Sequence, residues 1–275
     1  MIKVSSNQIE SHIMVADDCE NNCPFCMNKQ FYGMNEPTYI QQYNLAYQCQ
    51  KLAETPLRFF HITGGEPAYD IEQLLILCDL LKDKNVCIST TLPYVTCDGF
   101  IELVNTVDCI KYVNISRHAG KEDKEMLYDV ASDDMIDEII KPVYINVVPY
   151  LDFNLDEIME RWHNHNVYIS VNQNIRLVDK KDFGVGKTLP KGFEKLEIMD
   201  AFLTNYSEHL YFKNKYNKQV MFNRRLQHTS EKVNGDIIVN DIILFPNGMF
   251  GYDFDKNCII NDIDKFLESV EENES

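Results

Sequence analysis

The sequence is short of basic residues, of long apolar runs and of any secretion signal. No uninterrupted apolar stretch approaches the roughly 20 residues that cross a bilayer. The opening Met1-Ile2-Lys3-Val4-Ser5 has no signal-peptide core. These two absences set the expectation of a cytoplasmic protein without membrane association. Lys and Arg number 26 against 43 Asp and Glu, a formal charge of -17. A surface of that sign repels a phosphate backbone, so nucleic acid is not an expected partner. The basic residues that do gather, Lys213, Lys215, Lys218, Arg224 and Arg225, read as a solvated helix or loop. The acidic tail at 268–275 reads as a frayed helix end. Internal repeats and low-complexity tracts are also missing. Two nucleotide signatures fall short as well. Asp182-Phe183-Gly184 has no catalytic-loop His-Arg-Asp before it. Gly186-Lys187-Thr188 lacks the first glycine of a P-loop, because that position is Lys181.

What is present is enough for a core: 45% of the 275 residues are hydrophobic, with Tyr and Phe plentiful. Short β-rich runs alternate with longer amphipathic ones. Strands are expected near 13–16, 57–63, 86–91, 109–116, 143–149 and 167–172. Helices are expected near 38–53, 71–84, 99–106, 121–140 and 154–164, with Asp70, Asp98 and Asn154 as N-caps. Six β–α units in series imply a parallel sheet, since parallel neighbours need helical crossovers. Runs such as Tyr112-Val-Asn-Ile-Ser116 and Tyr144-Ile-Asn-Val-Val148 suit strands covered on both faces, with single polar residues aimed at a lumen. The pattern leaves open a closed barrel, a partial barrel or a doubly wound sheet, and all three place chemistry at the C-terminal strand ends. A loop at 178–191 separates residues 1–177 from a C-terminal extension, 178–275. There a helix is expected around 193–204, a hairpin from 237–245 and 249–254 through Pro246-Asn247-Gly248, and a last helix from about 262.

Without a secretion signal, nine cysteines do not suggest disulfides. Cys49, Cys78, Cys87, Cys97, Cys109 and Cys258 are scattered in apolar segments and read as buried thiols. Cys19, Cys23 and Cys26 are different. They fall within eight residues just after the first strand, a triplet that nine random cysteines would give about one time in a hundred. Three thiolates on one loop can converge on a soft metal centre. They are one ligand short of a structural zinc site, and a [4Fe–4S] cluster held by three keeps one iron open. Zinc with a distant fourth ligand, such as His61 or Cys97, is the alternative at this level. At the end of the second strand stands His61-Ile-Thr-Gly64-Gly65-Glu66-Pro67. Its glycines allow close approach of a ligand, and Glu66 can accept a hydrogen bond from an ammonium group.

With both segments in place, the sequence resembles the radical SAM superfamily over roughly residues 10–175. Cys19, Cys23, Phe25 and Cys26 match its Cys-x3-Cys-x2-Cys loop with an aromatic before the third cysteine. Gly64, Gly65, Glu66 and Pro67 match its strand-two motif. The resemblance implies a partial (β/α)6 TIM-like barrel with a small C-terminal α+β cap. It implies a [4Fe–4S] cluster on the three cysteines whose fourth iron is chelated by S-adenosylmethionine, with the glycine motif at the methionyl amino group. One electron, from a donor such as flavodoxin or ferredoxin, then yields methionine and a 5′-deoxyadenosyl radical that takes a substrate hydrogen. By the same resemblance Ser116 and Asn146 would sit near the cofactor, with Thr90 or Thr91 in a similar position. Arg117 and His118 could face the substrate or a surface loop.

Only Cys258 lies in the last 100 residues, so an auxiliary four-cysteine cluster is not expected there. The segment Phe245–Tyr252 looks like the hairpin that introduces such a domain in peptide maturases, and Cys23-Pro-Phe-Cys-Met-Asn28 is similar to the cluster loop of glycyl-radical activating enzymes. These favour a peptide or protein substrate; a small metabolite or nucleotide is the second choice. Tyr144, Asn172, Asn174 and Arg176 are candidate substrate residues. A non-catalytic iron–sulfur or zinc-binding protein is the alternative of another class.

Overall fold

The computed structural model describes residues 2–4, 10–15, 19–26, 38–118, 126–150, 153–173, 189–203, 207–225, 230–254, 257–260, 264 and 266–267. The strands are β1 (Ile2–Val4), β2 (Glu10–Val15), β3 (Phe59–Gly64), β4 (Asn85–Thr90), β5 (Ile110–Ser116), β6 (Val143–Val147), β7 (Tyr168–Asn172), β8 (Glu197–Leu203), β9 (Ser207–Lys213), β10 (Gln219–Arg225), β11 (Ser230–Val233), β12 (Asp236–Val239), β13 (Asp241–Leu244) and β14 (Phe250–Gly251). The helices are α1 (Thr38–Glu54), α2 (Ile71–Leu80), α3 (Cys97–Thr106), α4 (Asp133–Ile136) and α5 (Leu155–Trp162). No helix among the described residues is long and apolar enough to cross a membrane.

Strands β2 to β7 pair in chain order and in parallel, each consecutive pair bridged by helix. These are the six expected strands. The C-terminal region lengthens this parallel set at both ends: β13 joins β2 and β10 joins β7. Antiparallel β14 finishes one edge and β9–β8 the other, giving an eleven-stranded sheet that continues across position 177. A single cavity touches His12 on β2 and Tyr211 on β9, so the sheet is curled around a lumen. The fold is α/β, a mostly parallel sheet of partial-barrel form with antiparallel C-terminal strands.

Alternation divides the two faces. In β6 the residues alternate buried and half-buried. Val143, Ile145 and Val147 join the apolar core, while Tyr144 and Asn146 line the lumen. The outer face packs on the helices, for instance on Leu74 and Leu77 of α2 and on Ile158 and Trp162 of α5. Each fully buried side chain of this kind stabilises by about 1.5–3 kcal/mol. Asp70 caps α2 by accepting from the Gln73 amide, and Asn154 caps α5 by accepting from Asp156 and Glu157. All nine cysteines are free thiols.

Several local expectations are corrected. Asp98 is not an N-cap; α3 begins at Cys97, and Asp98 lies in its first turn, where an acid complements the helix dipole. Within the described residues, the helix expected over 121–140 is kept at Met126 and in α4, and a short strap, 126–131, runs between them. The strap is pinned across the chain, with Tyr94 N donating to Asp129 O and Ala131 N to Leu92 O, and these contacts override helical pairing. In place of a helix over 193–204 there is one 3-10 turn, Phe193–Lys195, followed by β8, whose backbone pairs with β9. The single strand expected over 237–245 is two, because β12 pairs with β1 and β11 in a separate three-stranded sheet. The Pro246-Asn247-Gly248 hairpin forms as expected, between β13 and β14. Arg224 is not solvated: it is 1% exposed and ion-paired with Glu208 at 3.4 Å. Most of the 178–191 loop and most of the last helix lie outside the described residues.

Of the four glycines with positive φ among the described residues, Gly64 and Gly235 differ most in what a side chain would meet. Gly64, at φ 129°, leaves room for the β2 backbone: a Cβ there would lie 2.6 Å from both Val15 N and Val15 O. Gly235, at φ 90°, follows Asn234 in the two-residue turn between β11 and β12, and a Cβ there would meet nothing within 4 Å. Gly64→Ala is therefore expected to cost about 3 kcal/mol or more, and Gly235→Ala about 1–2 kcal/mol. Urea unfolding of both variants checks this; equal losses would contradict the steric role of Gly64.

Candidate active site

The C-terminal ends of β2, β3, β4, β5 and β6 meet around a cavity of about 360 Å³. All three thiols of Cys19, Cys23 and Cys26 line it, each half-buried. The loop that carries them is held from two sides. Cys26 N donates to Cys23 O across the Pro24-Phe25 turn, and Asn22 N donates to Met126 O of the strap. Phe25 is buried against Met126 and Leu127, with His118 edge-on at 5.1 Å and Tyr150 at 5.7 Å. The aromatic residue before the third cysteine thus anchors the loop to the barrel. Gly64, Gly65, Glu66, Ser116 and Asn146 line the same cavity. Pro67 does not; it is buried as the first residue of the 3-10 turn Pro67–Tyr69, a position that suits its fixed φ.

Glu66 also has a structural part at the cavity wall. Its carboxylate is 4% exposed and both oxygens are already engaged. Oε1 accepts from Ala68 N at 3.0 Å and from the Thr90 hydroxyl. Oε2 accepts from Thr91 N at 2.7 Å and from Thr91 Oγ1 at 2.6 Å. Burial pushes the carboxyl pKa up, and these four donors oppose the rise. The side chain ties the turn after β3 to the end of β4, so the acid acts on the cavity through the backbone it fixes.

Arg117 is likewise structural. Its guanidinium is 1% exposed and donates to the carbonyls of Thr91, Ser116 and Ala131, with Asp133 at 3.7 Å. Neither a surface loop nor a substrate-facing position describes it. His118 is buried at the cavity wall, where its Nδ1 accepts from Val148 N at 3.4 Å.

The cavity opens downward into the lumen, a second space of about 450 Å³. The two share His12, His61, Ser89, Asn146, Asn172 and Gln173. Side chains on neighbouring strands link into a polar belt. His61 Nε2 meets Ser89 Oγ at 2.6 Å, and Asn114 donates to the same oxygen at 3.3 Å. Asn172 donates to Asn146 Oδ1, Asn223 donates to Asn172 Oδ1 at 2.5 Å, and His209 Nδ1 meets Asn223 Oδ1 at 2.6 Å. Tyr112, Tyr144 and Tyr168 stand in contact one strand apart toward the N-terminal end. Of the expected substrate residues, Tyr144 and Asn172 line the lumen, while Asn174 and Arg176 lie outside the described residues. Asn21, His12, His209 and Asn223 were not expected. Period-two polarity in β2 could have revealed His12; the others needed strands or contacts that the sequence does not announce.

The donor set fits a cluster. Among the described residues, no three His, Cys, Asp or Glu side chains converge tightly enough to bind a single ion. Thiols spread around a cavity wall suit a multi-iron cluster, in which each thiolate takes its own iron. Cys97, the other zinc ligand considered, lies on α3 with its sulfur against Asp98 and Met135.

Residues 13–144 match the Radical SAM superfamily model. Over those residues the chain is similar to radical SAM superfamily enzymes, a class that works with a [4Fe–4S] cluster and S-adenosylmethionine. Among solved structures it is similar to Streptococcus suis SuiB. SuiB bound to precursor peptide SuiA is 23% identical, with a TM-score of 0.47 over 62% of this chain and 40% of that one. SuiB bound to S-adenosylmethionine is 21% identical, with a TM-score of 0.45 over 66% of this chain and 43% of that one. The chain therefore spans well under half the length of the SuiB chains it matches. No curated protein matches it.

Replacing Glu66 by Gln would turn an amide donor toward groups that are themselves donors. Glu66→Gln is expected to destabilise the fold by about 1–3 kcal/mol, the cost of an unsatisfied buried donor. Thr91→Ser, which keeps the hydroxyl, should cost less. Chemical denaturation of the two variants tests the order, and an unperturbed Glu66→Gln protein would remove the carboxylate from its role.

Proposed function

We propose that this enzyme holds one [4Fe–4S] cluster on Cys19, Cys23 and Cys26, and that it abstracts a carbon-bound hydrogen atom from a substrate whose uncharged polar group is admitted to the lumen. The observation that carries the reading is the shared wall: the thiol-lined cavity and the lumen have six lining residues in common. When bound, the cluster and S-adenosylmethionine supply the 5′-deoxyadenosyl radical. The protein's own part is to bind and orient. Gly64, Gly65, Ser116 and Asn146 would face the cofactor, and Phe25 holds the cluster loop against the barrel. Glu66 and Pro67 contribute by fixing the turn that presents the glycines. Residues 1–177 supply the barrel, and 178–275 supply its flanking strands and cap. Phe254, which follows the β13–β14 hairpin, reaches the cavity and packs edge-on against His12 at 5.0 Å.

The lumen presents amides, hydroxyls and imidazoles. Arg224, the one Lys or Arg along it among the described residues, is paired with Glu208. Such a lining favours a neutral hydrogen-bonding group over a charged one, because a buried charge needs a partner charge. We take a peptide or protein to be the carrier of that group, on the likeness of the hairpin and cluster loop to those of enzymes that act on such substrates. A small metabolite or nucleotide is the second reading, favoured by the size of the lumen, which is that of a small-molecule pocket.

Anaerobically reconstituted protein should contain about four irons and four sulfides per chain. Twice that content would refute a single cluster, and stoichiometric zinc would refute any. On reduction it should convert S-adenosylmethionine to methionine and 5′-deoxyadenosine, followed by chromatography. Cys23→Ala should reduce this product to background; product at the wild-type rate would overturn the ligand assignment.

A further inference from the structure

Asn21 lies inside the cysteine loop and is 7% exposed, although its neighbours Glu20 and Asn22 are exposed. Burial of an amide is unfavourable unless its donors and acceptor are used, and here they are. Oδ1 accepts from Tyr128 N at 2.8 Å. Nδ2 donates to Thr91 Oγ1 at 3.2 Å and points to Cys19 Sγ at 3.4 Å. A backbone N–H can only donate, so the Tyr128 contact fixes which end of the amide carries oxygen. The N–H groups must therefore face Thr91 and the sulfur. Thr91 in turn is locked by Glu66, and Tyr128 belongs to the strap that also receives Asn22 N. The position of the donor is set by the barrel and the strap together, not by the loop alone.

We infer that Asn21 is a positioning residue for the cluster, donating a hydrogen bond to the Cys19 sulfur that orients this ligand and makes the bound cluster easier to reduce. The inference rests on Cys19 being a cluster ligand. A thiolate attracts an N–H donor more strongly than a neutral thiol does. Reduction adds negative charge that the cluster spreads over its sulfurs, so a fixed donor stabilises the reduced state more than the oxidised one. Hydrogen bonds to sulfur are one of the means by which a protein sets such potentials. The chain Glu66–Thr91–Asn21–Cys19 thereby links the glycine-motif turn to the cluster loop through side chains.

The test compares Asn21→Ala, Asn21→Asp and Cys19→Ala in the anaerobically reconstituted full-length protein. Iron content, the electron paramagnetic resonance spectrum of the reduced cluster and its midpoint potential are measured. Asn21→Asp keeps an acceptor for Tyr128 N while removing the amide donor, so it separates anchoring from the contact to sulfur. Both Asn21 variants should be about tenfold harder to reduce, a negative shift of ~59 mV for one electron. Wild-type potential and spectrum in both would overturn the proposal. Iron lost from both, with the wild-type melting temperature of the apoprotein, would support the contact as a determinant of the ligand. Iron lost together with a lowered melting temperature in both would reduce Asn21 to a fold-stabilising residue and overturn it. Cys19→Ala separates the two levels: wild-type iron and spectrum in that variant would defeat the ligand assignment itself, whatever Asn21 does.

Discussion

A buried carboxylate holds this site together. Glu66 closes the turn after β3 through Ala68 and the end of β4 through Thr90 and Thr91. An ionised acid out of water is stabilised only if donors replace the solvent it lost, and four donors from two strand ends supply that replacement. Once those ends are locked, other groups gain fixed partners. Thr91 O receives Arg117, whose guanidinium spans to Ala131, and Thr91 Oγ1 receives Asn21 from the cysteine loop. The glycine turn, the strap and the cysteine loop therefore share one hydrogen-bonded junction at the cavity wall.

The same sheet carries two kinds of surface, and the period of two keeps them apart. Toward the helices it is Val, Ile, Leu and Phe, and the burial of that face stabilises the curled sheet. Toward the lumen it is Asn, Ser, His and Tyr, hydrogen-bonded from strand to strand. A polar interior costs stability unless its groups satisfy one another, so the belt is organised before any substrate arrives.

Much of this was legible in the residues. Cys19, Cys23 and Cys26 announced a shared centre by spacing, and Phe25 and Gly64-Gly65-Glu66-Pro67 reinforced it. The six inner strands and most helices followed from periodicity, since a half-buried strand and an amphipathic helix write different repeats. Asp70 and Asn154 were readable as caps because capping is local. The failures share a cause. Residues 197–203 form an edge strand only because β9 offers a backbone to pair with, and 127–131 depart from the helix where Leu92 and Tyr94 capture Ala131 and Asp129. Arg224 looked like an exposed charge and Arg117 like a substrate-facing or surface-loop residue, until Glu208, Asp133 and backbone carbonyls enclosed them.

The sequence by itself determined the spacing of the three cysteines and the βα rhythm that brings the cysteine loop and the glycine motif to one end of a sheet. Those features depend on neighbours a few positions apart, where chain geometry leaves little choice. Only the tertiary structure decided that Glu66 is a buried junction and that Asn21 reaches the Cys19 sulfur, and it alone made β10 and β13 extend the barrel. The donor that Asn21 offers to Thr91 crosses 70 positions of sequence. Strand order and register alone bring such atoms to within 3.2 Å, and neither is written in any local pattern.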